Sequence, residues 1–255
     1  MFEFEVTERQ IHLLIDSLDM YSRIWMGQFC RLREYLWMYR RLCHDSTFEA
    51  CVEDLMFAVR ALFNPKAAEV GHFGSLGIWS PEICELAVSA YDMQQVIRHE
   101  YSWFVHPEGD IGVSFDDPHL RGFLPVPQAT CHTLENGEVG MSISMEEEPL
   151  NILLDALLAR KALLNLRTTD VMSLFTTDSR VLTVTRFVDD LLHEADCPAY
   201  EGSSQIMQSL TDLIDHIADM LHVTVDDSYR SLAQRRAEAH DLMTFGERSH
   251  MRVRR

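Results

Sequence analysis

Residues 80–109, SPEICELAVSAYDMQQVIRHEYSWFVHPEG, decide how the chain is read. Ser80-Pro81-Glu82 has the form of a helix start: a capping serine, a proline at the first helical position and an acid in the first turn. Behind it Ile83, Leu86, Ala90, Met93, Ile97, Tyr101 and Phe104 recur at three- and four-residue steps, which places them on one face of a helix. His106-Pro107-Glu108-Gly109 then breaks the pattern.

The same period extends to both sides. Thr7 and Gln10 have capping-box spacing, and Ile11, Leu14, Leu18, Tyr21, Trp25, Leu32 and Leu36 follow it, predicting one long helix whose apolar seam is interrupted by Gln28. A second helix is expected from about Thr47 to Phe63, stopped by Asn64-Pro65, because proline disfavours helix in the residue before it. Gly71 to Gly77 reads as a loop. Past residue 109, Ile111, Val113 and Phe115 alternate as in a short strand. Residues 116–140, with Pro118, Gly122, Pro125 and Pro127, read as loop with a hairpin ending at Val139 to Ser144. Helical periods resume at about 150–166, 180–195, 204–222 and 227–244.

The expected fold is therefore mainly α, with two helical subdomains and a small hairpin or short strands near residues 111–144. Residues 1–125 form a motif-bearing helical domain, 126–145 a linker, 146–245 an acidic helical bundle and 246–255 a basic tail.

Composition narrows the class of partner. Forty acids against 22 Lys and Arg leave a formal charge of −18, which opposes binding to nucleic acid or an anionic membrane and favours a basic protein. The only lysines are Lys66 and Lys161, so any anion site must rest on arginine. Six cysteines without a CxxC pair fit free thiols in a reducing cytosol. The start, MFEFEVTERQ, lacks a basic leader, and no apolar run reaches membrane-spanning length, so a soluble cytoplasmic protein is expected. Exposed aromatic residues around the first helix (Trp25, Tyr35, Trp37, Tyr39) predict a homo-oligomer.

No GxGxxG, Walker, GxSxG, HExxH or zinc-type CxxC pattern occurs, so no cofactor is expected and a non-enzymatic role is favoured. One acidic constellation bears weighing. Asp212, Asp215, Asp219 and His222 line one helix face, with His216 beside them, and Asp189, Asp190, His193 and Glu194 cluster one helix earlier. Two such helices facing each other could hold a divalent ion, although acids on an amphipathic helix are ordinarily a solvated face. The second half resembles the all-α nucleotide pyrophosphohydrolases, which hold magnesium between acidic helices. On that resemblance Asp189, Asp190 and Glu194 would be the first acidic group and Asp212 and Asp215 the second, with no counterpart for the family's downstream lysine and asparagine.

The first half carries the more specific pattern. Tyr21-Ser22-Arg23-Ile24-x-x-Gly27-Gln28-Phe29 is joined by Ala90-Tyr91-Asp92-x-Gln94-Gln95-Val96-Ile97-Arg98-His99, by Trp103 and by Val113-x-Phe115-Asp116-x-Pro118. Over roughly residues 1–120 these motifs resemble a family of short proteins common in bacteriophages and mobile elements, a resemblance that implies an origin rather than an activity. Read physically, Tyr21, Arg23, Gln28, Arg98, His99 and Trp103 are candidate binding residues. Arginine would supply charge and an aromatic ring a stacking surface, against the alternative of helix-surface ion pairs such as Asp19–Arg23 and polar packing between helices. The expected role is a phage-type accessory protein that binds and inhibits a host defence protein. A sponge for a small nucleotide signal and a magnesium-dependent pyrophosphohydrolase are the alternatives.

Overall fold

The computed structural model describes residues 1–29, 46–69, 76–165, 167–176, 178–194 and 203–224. Among them the chain is mainly helical, with one three-stranded antiparallel sheet. The elements are β1 (Phe2–Thr7), α1 (Glu8–Trp25), α2 (Ser46–Phe63), α3 (Pro65–Glu69), α4 (Glu85–Val105), β2 (Gln128–Thr133), β3 (Val139–Met145), α5 (Glu147–Leu164), α6 (Thr168–Ser173), α7 (Ser179–Glu194) and α8 (Ser203–Leu221). No helix among these residues is long and apolar enough to cross a membrane.

The centre is α5. Its sequence, EEPLNILLDALLARKALL, is buried on every side from Ile152 to Ala159, and a helix apolar all round must be surrounded by protein. Helices α1, α4, α6 and α8 pack around it. The polar residues Asp155 and Arg160 are carried inside with it: the Tyr21 hydroxyl donates to Asp155 Oδ2 at 3.4 Å, and Arg160 Nη2 lies 3.9 Å from Asp16.

Ahead of the first helix, where the sequence reading places no element, residues 2–7 form a strand. The alternation of FEFEVT buries Phe4 and Val6 while Glu3, Glu5 and Thr7 face outward. β1 pairs with β3 (Phe2 opposite Met145, Thr7 opposite Gly140), and β3 also pairs with β2, so β3 is central. The expected hairpin is thus present and gains a third strand from the N-terminus. The alternating Ile111, Val113 and Phe115 form no strand; the segment bends and turns, with Gly112 at φ 155°.

The first helix is shorter than its period implies. α1 is capped by the expected Thr7–Gln10 box and ends at Trp25. Gly27 then takes φ +72°, and a Cβ there would sit 2.5 Å from Ala67 Cβ, so the turn needs glycine both for its backbone and for the close approach of α3. Gln28 therefore leaves the helical seam. The reading of Leu32 to Leu36 lies outside the described residues, as do the loop at 71–75, the helix expected at 227–244 and the tail at 246–255. Trp25 is not an outward aromatic: it packs with Tyr21, Phe63 and Phe175. Tyr35, Trp37 and Tyr39 lie outside the described residues.

Ser80-Pro81-Glu82 forms a turn rather than the first turn of α4, which begins at Glu85 with Cys84 as its cap. α1 and α4 run antiparallel: Tyr101 meets Glu8 and His12, while Met26 clusters with Ile83 and Ala87. Buried residues from both sides of 126–145 belong to one apolar cluster, from Phe4 and Met93 through Leu154 to Ile217, and that segment holds two of the three strands. The expected linker therefore lies inside a shared core.

Candidate functional site

The six binding residues expected from the motifs do not converge. Tyr21 is fully buried, in ring contact with Phe175 at 4.9 Å. Arg23 makes the expected ion pair with Asp19 at 2.7 Å, and its Nη1 donates to Gln28 Oε1 at 2.7 Å. Arg23 and Gln28 are partners, not opposed as a continuous helix would place them. Because α1 and α4 are antiparallel, Arg23 and Arg98 lie toward opposite ends of the pair. With Tyr101 level with Glu8 and His12, about ten residues of α1 lie between Arg23 and the level of Arg98, an axial separation of about 15 Å.

Arg98 and Trp103 act on a different partner, the irregular segment 106–127, while His99 lies edge-on to the Trp103 ring. Arg98 Nη2 donates to Gln95 Oε1 at 2.8 Å and to the Val113 carbonyl at 3.1 Å. Trp103 Nε1 donates to the Phe115 carbonyl at 3.2 Å, with its ring edge-on to Phe115 and to His99. Lower on α4, buried Asp92 accepts backbone N–H bonds from Arg121 and Gly122, both at 3.0 Å. The segment is thus strapped back along α4 from its C-terminal end toward its middle. Burial pushes the Asp92 carboxyl above its ordinary range, while the Gly122 and Arg121 N–H bonds and the Arg121 charge pull the other way.

The strap builds a surface. Arg121 Nη1 donates to the Ile78 carbonyl at 2.8 Å, and its guanidinium lies 5.5 Å from the Trp79 ring centroid and 5.2 Å from that of Phe123. One cation therefore joins the turn before α4 to the strapped segment. Trp79, Trp103, Phe104, Ile111, Val113, Leu120 and Phe123 are all exposed, Trp79 at 62% and Ile111 fully. A long irregular segment that is nonetheless pinned at both ends, and that concentrates exposed apolar side chains, has the character of a binding loop. Glu108, Asp110, Asp116 and Asp117 lie on its exposed part. Trp79, Arg121 and Phe123 were missed because they sit at no periodic spacing, and only the fold of the segment brings them together.

A second polar locality covers the outer face of the sheet, a concavity of about 410 Å³ lined by residues including Glu3, Glu5, Gln128, Thr130, Ser142 and Ser144. Ser142 Oγ donates to Glu5 Oε1 at 2.6 Å, and His132 Nε2 meets Glu5 Oε2 at 3.0 Å. The carboxylate lies between hydroxyl and imidazole, so the hydroxyl hands its hydrogen to Glu5 and not to a histidine base, unlike an activated serine. On the sheet's inner face the Cys131 thiol is pushed up to about 12 by burial and the nearby Glu100 charge, which holds it in the unreactive protonated form.

The acidic constellation separates into two roles. Asp189 accepts from Thr168 N and Oγ1, both at 2.6 Å, and from Thr169 N at 3.0 Å, so it caps the N-terminus of α6 from a neighbouring helix. Asp190 is exposed, as are Asp212, Asp215, Asp219, His216 and His222, a solvated face. Among the described residues α7 packs mainly on α2 and α6 and α8 mainly on α5 and α1, and Asp189 is engaged at the start of α6 rather than left open to a metal as the pyrophosphohydrolase reading requires. The Glu194 side chain lies outside the described residues. Among the described residues no group of three or more His, Cys, Asp or Glu is arranged to hold a metal ion.

No protein-family model, curated protein or solved structure matches this chain.

Proposed function

We propose that this chain works by binding a protein partner, through the surface formed by Ile78-Trp79 and residues 103–123. The observation that carries the reading is the Trp79–Arg121–Phe123 stack, exposed yet fixed by the Asp92 strap. Tryptophan and arginine on a rigid frame are the residue types that dominate binding energy at protein interfaces, because little side-chain freedom is lost when they dock. The acids at 108, 110, 116 and 117 and the charge of −18 favour a basic partner surface and oppose nucleic acid. The resemblance to phage and mobile-element proteins makes a host protein the partner, and its inhibition the consequence.

The test is affinity capture from host lysate at low and high salt, comparing the native chain with a Trp79→Ala/Phe123→Ala double variant of unchanged melting temperature. The reading expects a protein retained by the native chain, weakened by salt and lost with the double variant. Retention by both chains alike would overturn it. The rival nucleotide sponge would show instead as a thermal shift with free nucleotides.

A further inference from the structure

Resting on that reading, we propose that Arg121 is the anchor of the surface, and that the partner presents to it a single side-chain carboxylate set in an apolar surround. Three observations support this. Nη1 of Arg121 is committed to the Ile78 carbonyl, while among the described residues no acceptor meets Nε or Nη2. Flanking contact with Trp79 and Phe123 holds the guanidinium plane and strips part of its water. The backbone N–H of Arg121 is tied to Asp92, so the residue's base is fixed as well. A guanidinium held in one orientation with open N–H groups matches the two oxygens of a carboxylate, and its charge is worth more beside apolar rings than in open water.

Charge placement decides between anions. The acids at 108, 110, 116 and 117 belong to the stretch strapped at Arg98 and Trp103, which lie six and eleven residues along α4 from Asp92, about 9 to 16 Å at helical rise. Among the described residues the surface therefore has Arg121 at one end, and at the other an acidic flank in which Arg98 is tied to Gln95 and the Val113 carbonyl. A polyanion would be repelled by that flank, and a phosphate dianion more strongly than a carboxylate, because it carries up to about twice the charge. A single carboxylate on an otherwise basic partner satisfies both ends. A second copy of this chain would oppose one acidic flank to another.

The experiment follows the Arg121 Nε–H and Trp79 indole N–H resonances of the full chain by nuclear magnetic resonance. The probes are three acetylated, amidated tripeptides, Leu-Glu-Leu, Leu-Gln-Leu and Leu-Lys-Leu, with adenosine monophosphate alongside. The expected result is that Leu-Glu-Leu shifts both resonances and binds at least about tenfold more tightly than Leu-Gln-Leu, a difference of about 1.4 kcal/mol. Arg121→Lys, with an unchanged melting temperature, should abolish that preference, because an ammonium cannot make the paired contact. Equal binding of the Glu and Gln peptides, tighter binding of the Lys peptide or the nucleotide, or no peptide binding would each overturn the proposal. Lysate capture that is lost in the Trp79→Ala/Phe123→Ala variant but kept in Arg121→Gln would overturn the carboxylate anchor while leaving the protein-binding surface standing.

Discussion

Asp92 shows how one buried side chain determines what an exposed surface can do. It is 1% exposed, yet it supplies the acceptor for two backbone N–H groups of a segment with no secondary structure of its own. Removing that acceptor in Asp92→Ala should cost about 1–2 kcal/mol and speed hydrogen exchange at Arg121 and Gly122. The pH dependence separates charge from hydrogen bonding. Burial raises the Asp92 pKa in the fold, so the group's favourable contribution is complete below its ordinary value of 3.8 and is lost as pH rises through the folded value. Asp92→Asn keeps a carbonyl that can accept both bonds and cannot ionise. The melting temperature of the Asn variant relative to the native chain should therefore rise as pH is taken from 4 toward neutrality; a pH-independent difference would refute this.

At the scale of elements, α6 depends on another helix for its start. Thr168–Ser173 is too short to hold itself, and the N–H groups of Thr168 and Thr169 are satisfied by Asp189 of α7. Asp189→Ala should destabilise the protein by about 1–2 kcal/mol, as loss of a helix cap does. Asp212→Ala, on the solvated face of α8, should stay within about 0.5 kcal/mol, since its partner is the exposed Gln208 of the same helix. Urea unfolding of the two variants checks the contrast. Equal losses would show that sequence clustering, and not the difference in packing, describes these acids. The same contrast explains why the metal-binding reading was open in the sequence. Periodicity places Asp212 and Asp215 on one face but cannot say which face of which other helix lies opposite.

Across the whole molecule, the N-terminal strand and the central helix make the chain interdependent. β1 completes its pairing only with β3, and the apolar face of α1 is buried partly on α5, so residues 1–125 lack both partners when separated from the rest. Thermal unfolding of the full chain should follow one transition, with secondary structure and tryptophan environment lost together, and the isolated segment 1–125 should show no cooperative transition. Two resolved transitions would restore the division into independent units. The long-range field belongs to this scale too: a charge of −18 repels other acidic macromolecules before contact, whereas Arg121 acts only once its partner has arrived.

The sequence by itself determined the helical class, a small hairpin ending near Ser144, the capping of α1 by Thr7 and Gln10, the end of α4 near His106 and the Asp19–Arg23 pair. Each of these is local: it depends on side chains within a few residues of one another, where spacing and capping chemistry act directly on the backbone. β1 carried its alternation in plain view, but six residues of FEFEVT become a strand only when β3 offers the ladder that satisfies their N–H and C=O groups. Likewise the motif residues fall in two short stretches, Tyr21, Arg23 and Gln28 in one and Arg98, His99 and Trp103 in the other, and the fold sends them to the core, to one end of α1 and to the C-terminal part of α4 beside the loop strap. Trp79 meets Arg121 and Phe123, more than 40 residues away, only because Asp92 turns the 106–127 segment back along α4. That encounter is a property of tertiary packing, in which a buried carboxylate must find donors wherever the chain can bring them, and no spacing in the sequence encodes it.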